Sequence, residues 1–221
     1  MSKAMKPMIG LLAAVALAGC ASKSPEQQGA GADGIGTALK AVAMQRIAKA
    51  KGAAPAPARD PSAIAADALA ANSKPLILVG LESQGTTQAL ALVQENAGMR
   101  TYMTSGSQAV ILRGGMLAGT KGLGHDLSVA EMGPSAALIR AGQTGSASRV
   151  MRYVTGEGIE RPLPLGCQIG RGPKPGVMVE DCTAPGVSFQ NSYLLSGGAI
   201  SVSRQWIGPD LGYMTIQVLR P

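Results

Sequence analysis

The chain has 221 residues, a formal net charge of +7, and 46% hydrophobic but only 3% aromatic residues. Gly (30) and Pro (14) together make up about a fifth of it, against roughly 12% in average proteins, which is typical of a turn-rich fold. A single His and three Cys argue against a zinc site with several protein ligands, so we expect no metal and no soluble cofactor.

The N-terminus has the pattern of an export signal. Lys3 and Lys6 precede an apolar run over residues 8–18, which is shorter than the ~20 residues of a bilayer span. The run ends in LAGC, which resembles the bacterial lipobox and implies cleavage before Cys20, followed by acylation of its sulfur and new amino group. Such acyl chains would anchor the protein in membrane lipid. Ala21, where Asp would favour inner-membrane retention, implies the outer membrane, with the body on the periplasmic side.

Two cysteines remain after this cleavage, Cys167 and Cys182. An oxidising compartment favours their pairing, and a disulfide that closes a loop of about 15 residues stabilises a fold by ~3 kcal/mol in the chain-entropy model. A two-cysteine metal site is the alternative, but the sequence offers no second ligand pair to complete it.

Residues 20–73 have the composition of a tether, rich in Ala, Gly and Pro and without aromatic residues. Apolar side chains at helical spacing predict a helix over residues 37–51, and a second short helix is expected over residues 61–72. A G-x-G-x-x-G match at residues 29–34 has no strand before it and fits a linker better than a dinucleotide site. We therefore predict a lipoprotein signal peptide (1–19), an acylated, partly helical tether (20–73) and a β domain (74–221).

From residue 74 onward the pattern changes to short apolar strands separated by glycine-containing turns. The pair Gly114-Gly115, for example, separates the expected strands 108–113 and 116–120, as in a tight hairpin. We predict a mainly β domain of antiparallel meander sheets, packed as a sandwich or a short open barrel. No helical pattern longer than a turn or two is evident in this region.

The C-terminal hairpin gives the most detailed prediction. A two-residue turn at Gly197-Gly198 sets the register of the two strands that flank it. The predicted cross-strand pairs are Leu195–Ile200, Tyr193–Val202, Asn191–Arg204 and Phe189–Trp206. This register collects the apolar side chains and one Asn–Arg pair on one face, and it leaves Ser203 and Gln205 on the other.

Several short blocks in this part of the chain form a set, together with Cys182. They are residues 100–102, 110–115, 120–127, 189–191, 203–206, 212–213 and 216–221. The set resembles the YjbF/GfcB family of capsule and exopolysaccharide operon lipoproteins. That resemblance implies a β-structured outer-membrane lipoprotein that serves polysaccharide secretion, and it transfers no catalytic residue. Lys121 stands where we expect Arg, which weakens any requirement for a guanidinium group there.

Five residues are candidates for contacting a glycan or an anionic group. They are Lys121, Asp126, Asn191, Arg204 and Trp206. Arginine forks bind carboxylates and phosphates, and aromatic faces pack against sugars. The competing interpretation, which we favour for Arg204 and Trp206, is structural: a core tryptophan, and an arginine satisfied by Asn191, a carboxylate or a carbonyl.

We expect a non-enzymatic accessory in capsule or exopolysaccharide export, with export proteins or an anionic polysaccharide as partners. Nucleic acid is not expected, because the basic residues are dispersed. One alternative is a polysaccharide-modifying hydrolase that uses Asp126 or His125, and another is a structural lipoprotein that binds peptidoglycan. A cleft joining Asp126 and His125 with a second carboxylate is expected of the enzyme, whereas an apolar core around Trp206 is expected of the accessory.

Overall fold

The structure, a computed structural model, describes residues 59–154 and 156–221. Its helices are α1 (Pro61–Ala71) and α2 (Gly133–Ala141), and a 3₁₀ turn spans Glu82–Gln84. The strands are β1 (Leu76–Leu81), β2 (Thr86–Asn96), β3 (Met99–Met103), β4 (Ala109–Arg113), β5 (Met116–Lys121), β6 (Leu127–Glu131), β7 (Gly145–Val154), β8 (Glu160–Arg171), β9 (Val177–Ala184), β10 (Val187–Ser196), β11 (Ala199–Gly208) and β12 (Gly212–Arg220). Cys20 and the helix predicted over residues 37–51 lie outside the described residues.

The twelve strands form one antiparallel sheet in the order β5-β4-β3-β2-β1-β12-β11-β10-β9-β8-β7-β6. Two meanders are thus joined where β1 pairs with β12. The outermost strands, β5 and β6, approach each other: a Cβ on Gly119 would lie 3.1 Å from the Ser128 carbonyl oxygen. The sheet therefore curls until it is nearly closed. This confirms the mainly β prediction, in its barrel-like rather than its sandwich form.

One hydrophobic cluster fills the inside of the curled sheet. All twelve strands contribute buried side chains to it, among them Ile77, Leu117, Met151 and Met214, each fully buried. In a strand, alternate side chains point to opposite faces, so each strand supplies one row to this interior. Most strands expose the other row, but in β1 both rows are buried. The interior is therefore a packed core.

Helix α1 confirms the short helix predicted over residues 61–72. Asp60 caps its first turn by accepting a hydrogen bond from the Ser62 N–H at 2.9 Å, and Pro61 supplies a backbone angle suited to a helix start. The Arg220 guanidinium donates to the Leu69 and Asn72 carbonyl oxygens. The last strand thereby holds the end of this helix. Among the described residues, no helix has both the length and the apolar content needed to cross a bilayer.

Helix α2 corrects the expectation that the body has no helix beyond a turn or two. It has nine residues, and it packs onto the core through the fully buried Ile139. Its nine residues are too few to show a helical period, which needs a window of about 11 or more. Its boundaries are nevertheless marked by Pro134 in its first turn and by Gly142, which adopts the left-handed conformation after its end.

The C-terminal hairpin follows the predicted register only next to its turn. Leu195 pairs with Ile200 across Gly197-Gly198, as expected, but a bulge beside Leu194 shifts every later pair by one residue. Tyr193 faces Ser203, and Arg204 faces Ser192. The predicted pairs Tyr193–Val202 and Asn191–Arg204 are therefore wrong.

This bulge also exchanges the two faces of β11. An extra residue in one strand turns the side chains that follow it to the opposite side, here those of residues 203–205. Ser203 and Gln205 consequently point inward and are buried, whereas Arg204 points outward. Gln205 is satisfied inside the sheet, because its amide oxygen accepts the Leu117 N–H at 2.8 Å.

Candidate functional site

A cluster of polar side chains lies inside the sheet, centred on Glu180. One oxygen of this carboxylate accepts hydrogen bonds from Arg149 Nη1 at 2.8 Å, Asn191 Nδ2 at 2.9 Å and the Tyr193 hydroxyl at 2.8 Å. None of the four residues is more than 1% exposed. They come from β7, β9 and β10, so the cluster ties three strands together from within.

Burial and charge both act on the titratable groups of this cluster. Burial raises the pKa of the Tyr193 phenol, and the neighbouring Glu180 carboxylate raises it further. Burial opposes the charge on Arg149, but Tyr193 and Glu180 more than offset that effect, so the pKa of its guanidinium is raised. The cluster therefore holds a charged arginine and a neutral tyrosine around a carboxylate.

The disulfide lies beside this cluster. Cys167 and Cys182 are direct cross-strand partners in β8 and β9, and the structure joins their sulfur atoms. Both sulfurs and a Glu180 carboxylate oxygen lie within 4.8 Å of one another. Because cysteine binds zinc as a thiolate, the bond between the two sulfurs removes the donors that the alternative two-cysteine metal site would require.

Two of the five candidate binding residues belong to this interior. Asn191 is fully buried, and its amide oxygen accepts a hydrogen bond from the backbone N–H of Trp206 at 2.7 Å. Trp206 is 8% exposed and stacks on Phe189 with ring centroids 4.4 Å apart. This arrangement matches the structural interpretation of Trp206, with an apolar core around the indole.

Arg204 lies on the outer face, away from Asn191. Its guanidinium makes two hydrogen bonds with the Glu82 carboxylate, at 2.7 and 2.8 Å, and lies 3.4 Å from the centroid of the Tyr213 ring. Hydrogen bonding to Glu82 raises the pKa of the guanidinium. Arg204 is thus satisfied by a carboxylate, one of the partners that the structural interpretation allowed.

Asp126 organises the loop between β5 and β6. Its two oxygens accept hydrogen bonds from Thr120 Oγ1 at 2.9 Å, the Gly122 N–H at 2.8 Å and the Leu123 N–H at 3.1 Å. Lys121, at the end of β5, is exposed beside this loop. Asp126 therefore acts on the conformation of its own loop.

A cleft of about 620 Å³ opens at one end of the sheet, where the loops that follow β5, β7 and β11 meet. His125 and Asp210 both line this cleft and contact each other, with 3.3 Å between Nδ1 and the nearer carboxylate oxygen. Both side chains are more than half exposed. The cleft therefore gathers His125 and Asp126 with a second carboxylate, as the enzyme alternative required.

Asp210 and Tyr153 also line this cleft, and no local pattern in the sequence singled them out. The Tyr153 hydroxyl donates to the Ile207 carbonyl oxygen at 2.6 Å, and burial raises the pKa of this phenol. Asp210 follows a Gly-Pro pair in the turn between β11 and β12. Such a pair predicts a turn, but it does not show which residues lie beside that turn in the folded protein. Only the curl of the sheet brings this turn to His125, 85 positions earlier in the chain.

The structure thus defines the class of protein. It is a curled antiparallel β domain with a filled, disulfide-containing interior and an open cleft at one end. The chain matches the family model described as group 4 capsule polysaccharide lipoprotein GfcB, YjbF, over residues 36–219. This match covers most of the chain, and the protein belongs to that family. Membership supports a role in capsule or exopolysaccharide assembly and confirms the resemblance drawn from the sequence.

The fold is similar to that of a solved lipoprotein. The crystal structure of the hypothetical lipoprotein YmcC from Escherichia coli K12 aligns with a TM-score of 0.58 and 15% sequence identity, over 72% of this chain and 89% of that one. At this identity the likeness concerns the fold alone. No curated protein matches the sequence.

Proposed function

We propose that the protein is an outer-membrane lipoprotein that faces the periplasm and assists capsule or exopolysaccharide secretion without catalysing a reaction. The observation that carries this proposal is the match to the capsule polysaccharide lipoprotein family over residues 36–219. Its partners would be export proteins or an anionic polysaccharide, and nucleic acid has no place in that compartment.

The anchoring part of the proposal rests on Cys20. Acylation of its sulfur and amino group would supply a diacylglycerol and a further acyl chain, and two or more chains hold a protein stably at a bilayer. Ala21 supports delivery to the outer membrane. Apart from these covalent chains, we propose no cofactor.

The non-enzymatic part is supported by how the candidate residues are used. Both carboxylate oxygens of Asp126 accept hydrogen bonds from residues at the β5–β6 loop. Asn191 and Trp206 are buried in the core. Arg204 is held by Glu82 and Tyr213. Each of these side chains thus has a structural task.

Deletion of the gene, followed by complementation, tests the proposal. Secreted polysaccharide, measured as purified polymer per cell mass, should fall in the deletion strain and return with the wild-type chain. Cys20→Ser should abolish labelling by radioactive palmitate and release the protein from membranes. Ala21→Asp should keep the label but move the protein to inner-membrane fractions and reduce secretion. Ser22→Ala, two residues beyond the anchor, is the control and should behave as wild type.

Three results would contradict the proposal in separable ways. Unchanged secretion in the deletion strain would remove the role in export. Palmitate labelling of the Cys20→Ser variant would show that Cys20 is not the acylated residue. Full secretion by a variant that stays at the inner membrane would remove the requirement for the outer membrane.

The cleft supports a second candidate, a polysaccharide hydrolase that uses His125 with Asp126 or Asp210. Glycoside hydrolysis needs two carboxyl groups that flank the scissile bond. The purified protein should then release new reducing ends from the polysaccharide secreted by wild-type cells, and Asp210→Asn should abolish that release. We favour the accessory because Asp126 is committed to its loop, and we expect no reducing ends above those of a no-protein control.

A further inference from the structure

The cleft between the loops after β5, β7 and β11 has the features of a preformed binding site. Its volume of about 620 Å³ lies in the range of roughly 300–1,000 Å³ that is usual for small-molecule sites. It combines polar groups with the apolar surface of Tyr153, Val154 and Pro209. Neither the polar cluster around Glu180 nor the Arg204–Glu82 pair contributes to its lining.

Contacts within the protein hold the β5–β6 loop and the Tyr153 ring in place along this cleft. Asp126 fixes the β5–β6 loop through three hydrogen bonds, which sets the position of the neighbouring His125. The Tyr153 hydroxyl fixes its ring to the Ile207 carbonyl oxygen. Gly208 lies directly against that ring, since a Cβ there would be 3.1 Å from Tyr153 Cε1. A ligand would therefore meet walls that are already in place, which reduces the ordering cost of binding.

Two polar groups remain accessible to a ligand. His125 and Asp210 contact each other at 3.3 Å, but their side chains are 67% and 58% exposed. A carboxylate accepts hydrogen bonds, and a neutral imidazole both donates and accepts them. This pairing suits adjacent hydroxyl groups, which themselves donate and accept, while the Tyr153 and Pro209 surfaces suit the apolar C–H face of a sugar ring.

The charge of the lining selects among sugars. Asp126 and Asp210 are the carboxylates of the cleft, and His125 is the sole basic side chain among the residues that line it. The lining is therefore negative whether or not the imidazole is protonated. Like charges placed together disfavour binding, so uronic acid or phosphate groups would be repelled from this position.

The geometry points to a saccharide-binding site in this cleft that takes uncharged sugar units of the secreted polysaccharide, with His125 and Asp210 as its hydrogen-bonding residues. This inference rests on the proposed function, because that function brings the polysaccharide to the protein. It adds to that function the position at which the protein would hold the polymer. The cleft takes uncharged units whatever charge the polymer carries elsewhere along its length.

The single histidine of the chain gives this site a direct spectroscopic reporter. The lipoprotein would be produced with ¹³C-labelled histidine and then purified in detergent through a tag that contains no histidine. Its imidazole signals would then come from His125 alone. Fragments made by mild acid hydrolysis of the secreted polysaccharide, separated into uncharged and acidic fractions, are the probes. We expect the uncharged fraction to shift both imidazole C–H signals in a saturable manner and the acidic fraction to leave them unchanged.

Asp210→Asn should weaken binding of the uncharged fraction at least tenfold while leaving the melting temperature unchanged, because this carboxylate is exposed. Asp67→Asn is the matched control: it removes another ion-paired carboxylate that is more than half exposed, in α1, and should bind as wild type. Absence of shifts, shifts caused by the acidic fraction alone, or a polymer that yields no uncharged fragments would each overturn the inference.

The same variant separates this inference from the proposed function. If the cleft is used in export, Asp210→Asn should lower secretion in the complemented deletion strain, and Asp67→Asn should not. Normal secretion by Asp210→Asn, together with no binding of the uncharged fraction by the wild-type chain, would remove the site and leave the export role intact. Unchanged secretion on deletion of the gene would remove the export role, whatever the imidazole signals show.

Discussion

Two arginine–glutamate pairs with nearly the same N–O distance occupy opposite faces of the same sheet. Arg149 and Glu180 meet at 2.8 Å with both side chains fully buried, whereas Arg204 and Glu82 meet at 2.7 Å with about 40% of each side chain exposed. The buried carboxylate also accepts hydrogen bonds from Asn191 and Tyr193. The difference teaches that the distance between charges says little about their importance, because burial decides what the loss of one partner leaves behind.

The largest expected effect is that of breaking the buried pair. Glu180→Gln removes the charge that balances Arg149, and an uncompensated buried charge destabilises a protein by about 3–5 kcal/mol. Urea unfolding with the disulfide intact would measure this loss. Glu82→Gln is the matched control from the exposed pair and should cost less than about 1 kcal/mol. Equal losses in the two variants would contradict the contrast between the two faces.

The disulfide beside the buried pair should have the next largest effect. Replacing Cys167 and Cys182 together by Ala opens a link between residues 15 positions apart, for which the chain-entropy model gives about 3 kcal/mol. The free energy of unfolding, compared under identical urea conditions, tests this value. A double variant as stable as the wild type would show that the backbone pairing of β8 with β9 holds the two strands without the covalent link.

Alkaline pH should destabilise the fold through Tyr193, which hydrogen-bonds to the buried Glu180 carboxylate. Burial and Glu180 raise the pKa of this phenol in the folded state above its unfolded value of about 10. The protonated phenol therefore contributes full stability below pH ~10, and stability falls as the pH rises further, by up to ~1.4 kcal/mol per pH unit.

Unfolding free energies measured between pH 8 and 10.5 would show this decline. Tyr193→Phe is expected to be less stable at pH 8, because it leaves Glu180 without one donor, and to lose stability less steeply above pH 10. The same steepness in the variant and the wild type would assign the alkaline effect to other groups.

The smallest expected effect is on the exposed pair. Arg204→Lys replaces a two-point contact with Glu82 by a single charge and loses the contact with Tyr213. Exposed ion pairs contribute about 0.2–1 kcal/mol, so the melting temperature should fall slightly while secretion of polysaccharide stays normal. A loss of secretion with unchanged stability would instead make Arg204 a ligand-binding residue.

Part of the candidate site could be predicted from the sequence. The Cys167–Cys182 pair, His125 and Asp126 were each singled out from residue type and local pattern. The buried cluster was not, because Arg149 and Glu180 lie 31 positions apart in strands whose mutual register no local pattern specifies. Asp210 was missed for the same reason, since its neighbour His125 belongs to a distant loop.

The bulge beside Leu194 is the most instructive failure. The glycine turn correctly placed Leu195 opposite Ile200, because a two-residue turn determines the pair next to it. One additional residue then reversed the faces, so Arg204 points out and Gln205 points in. Gln205 is tolerated inside because Leu117 of a distant strand donates to it. Such a partner cannot be found by inspecting alternation in one hairpin.

The sequence by itself determined the mainly β character, the meander of short strands, the first short helix and the family, because turns, alternation and short motifs act over a few neighbouring residues. The tertiary structure alone decided how the sheet curls, which face each polar side chain of β11 takes, and which loops meet around His125. These features depend on strand register and on contacts between residues far apart in the chain, where a shift of one position exchanges the interior for the surface.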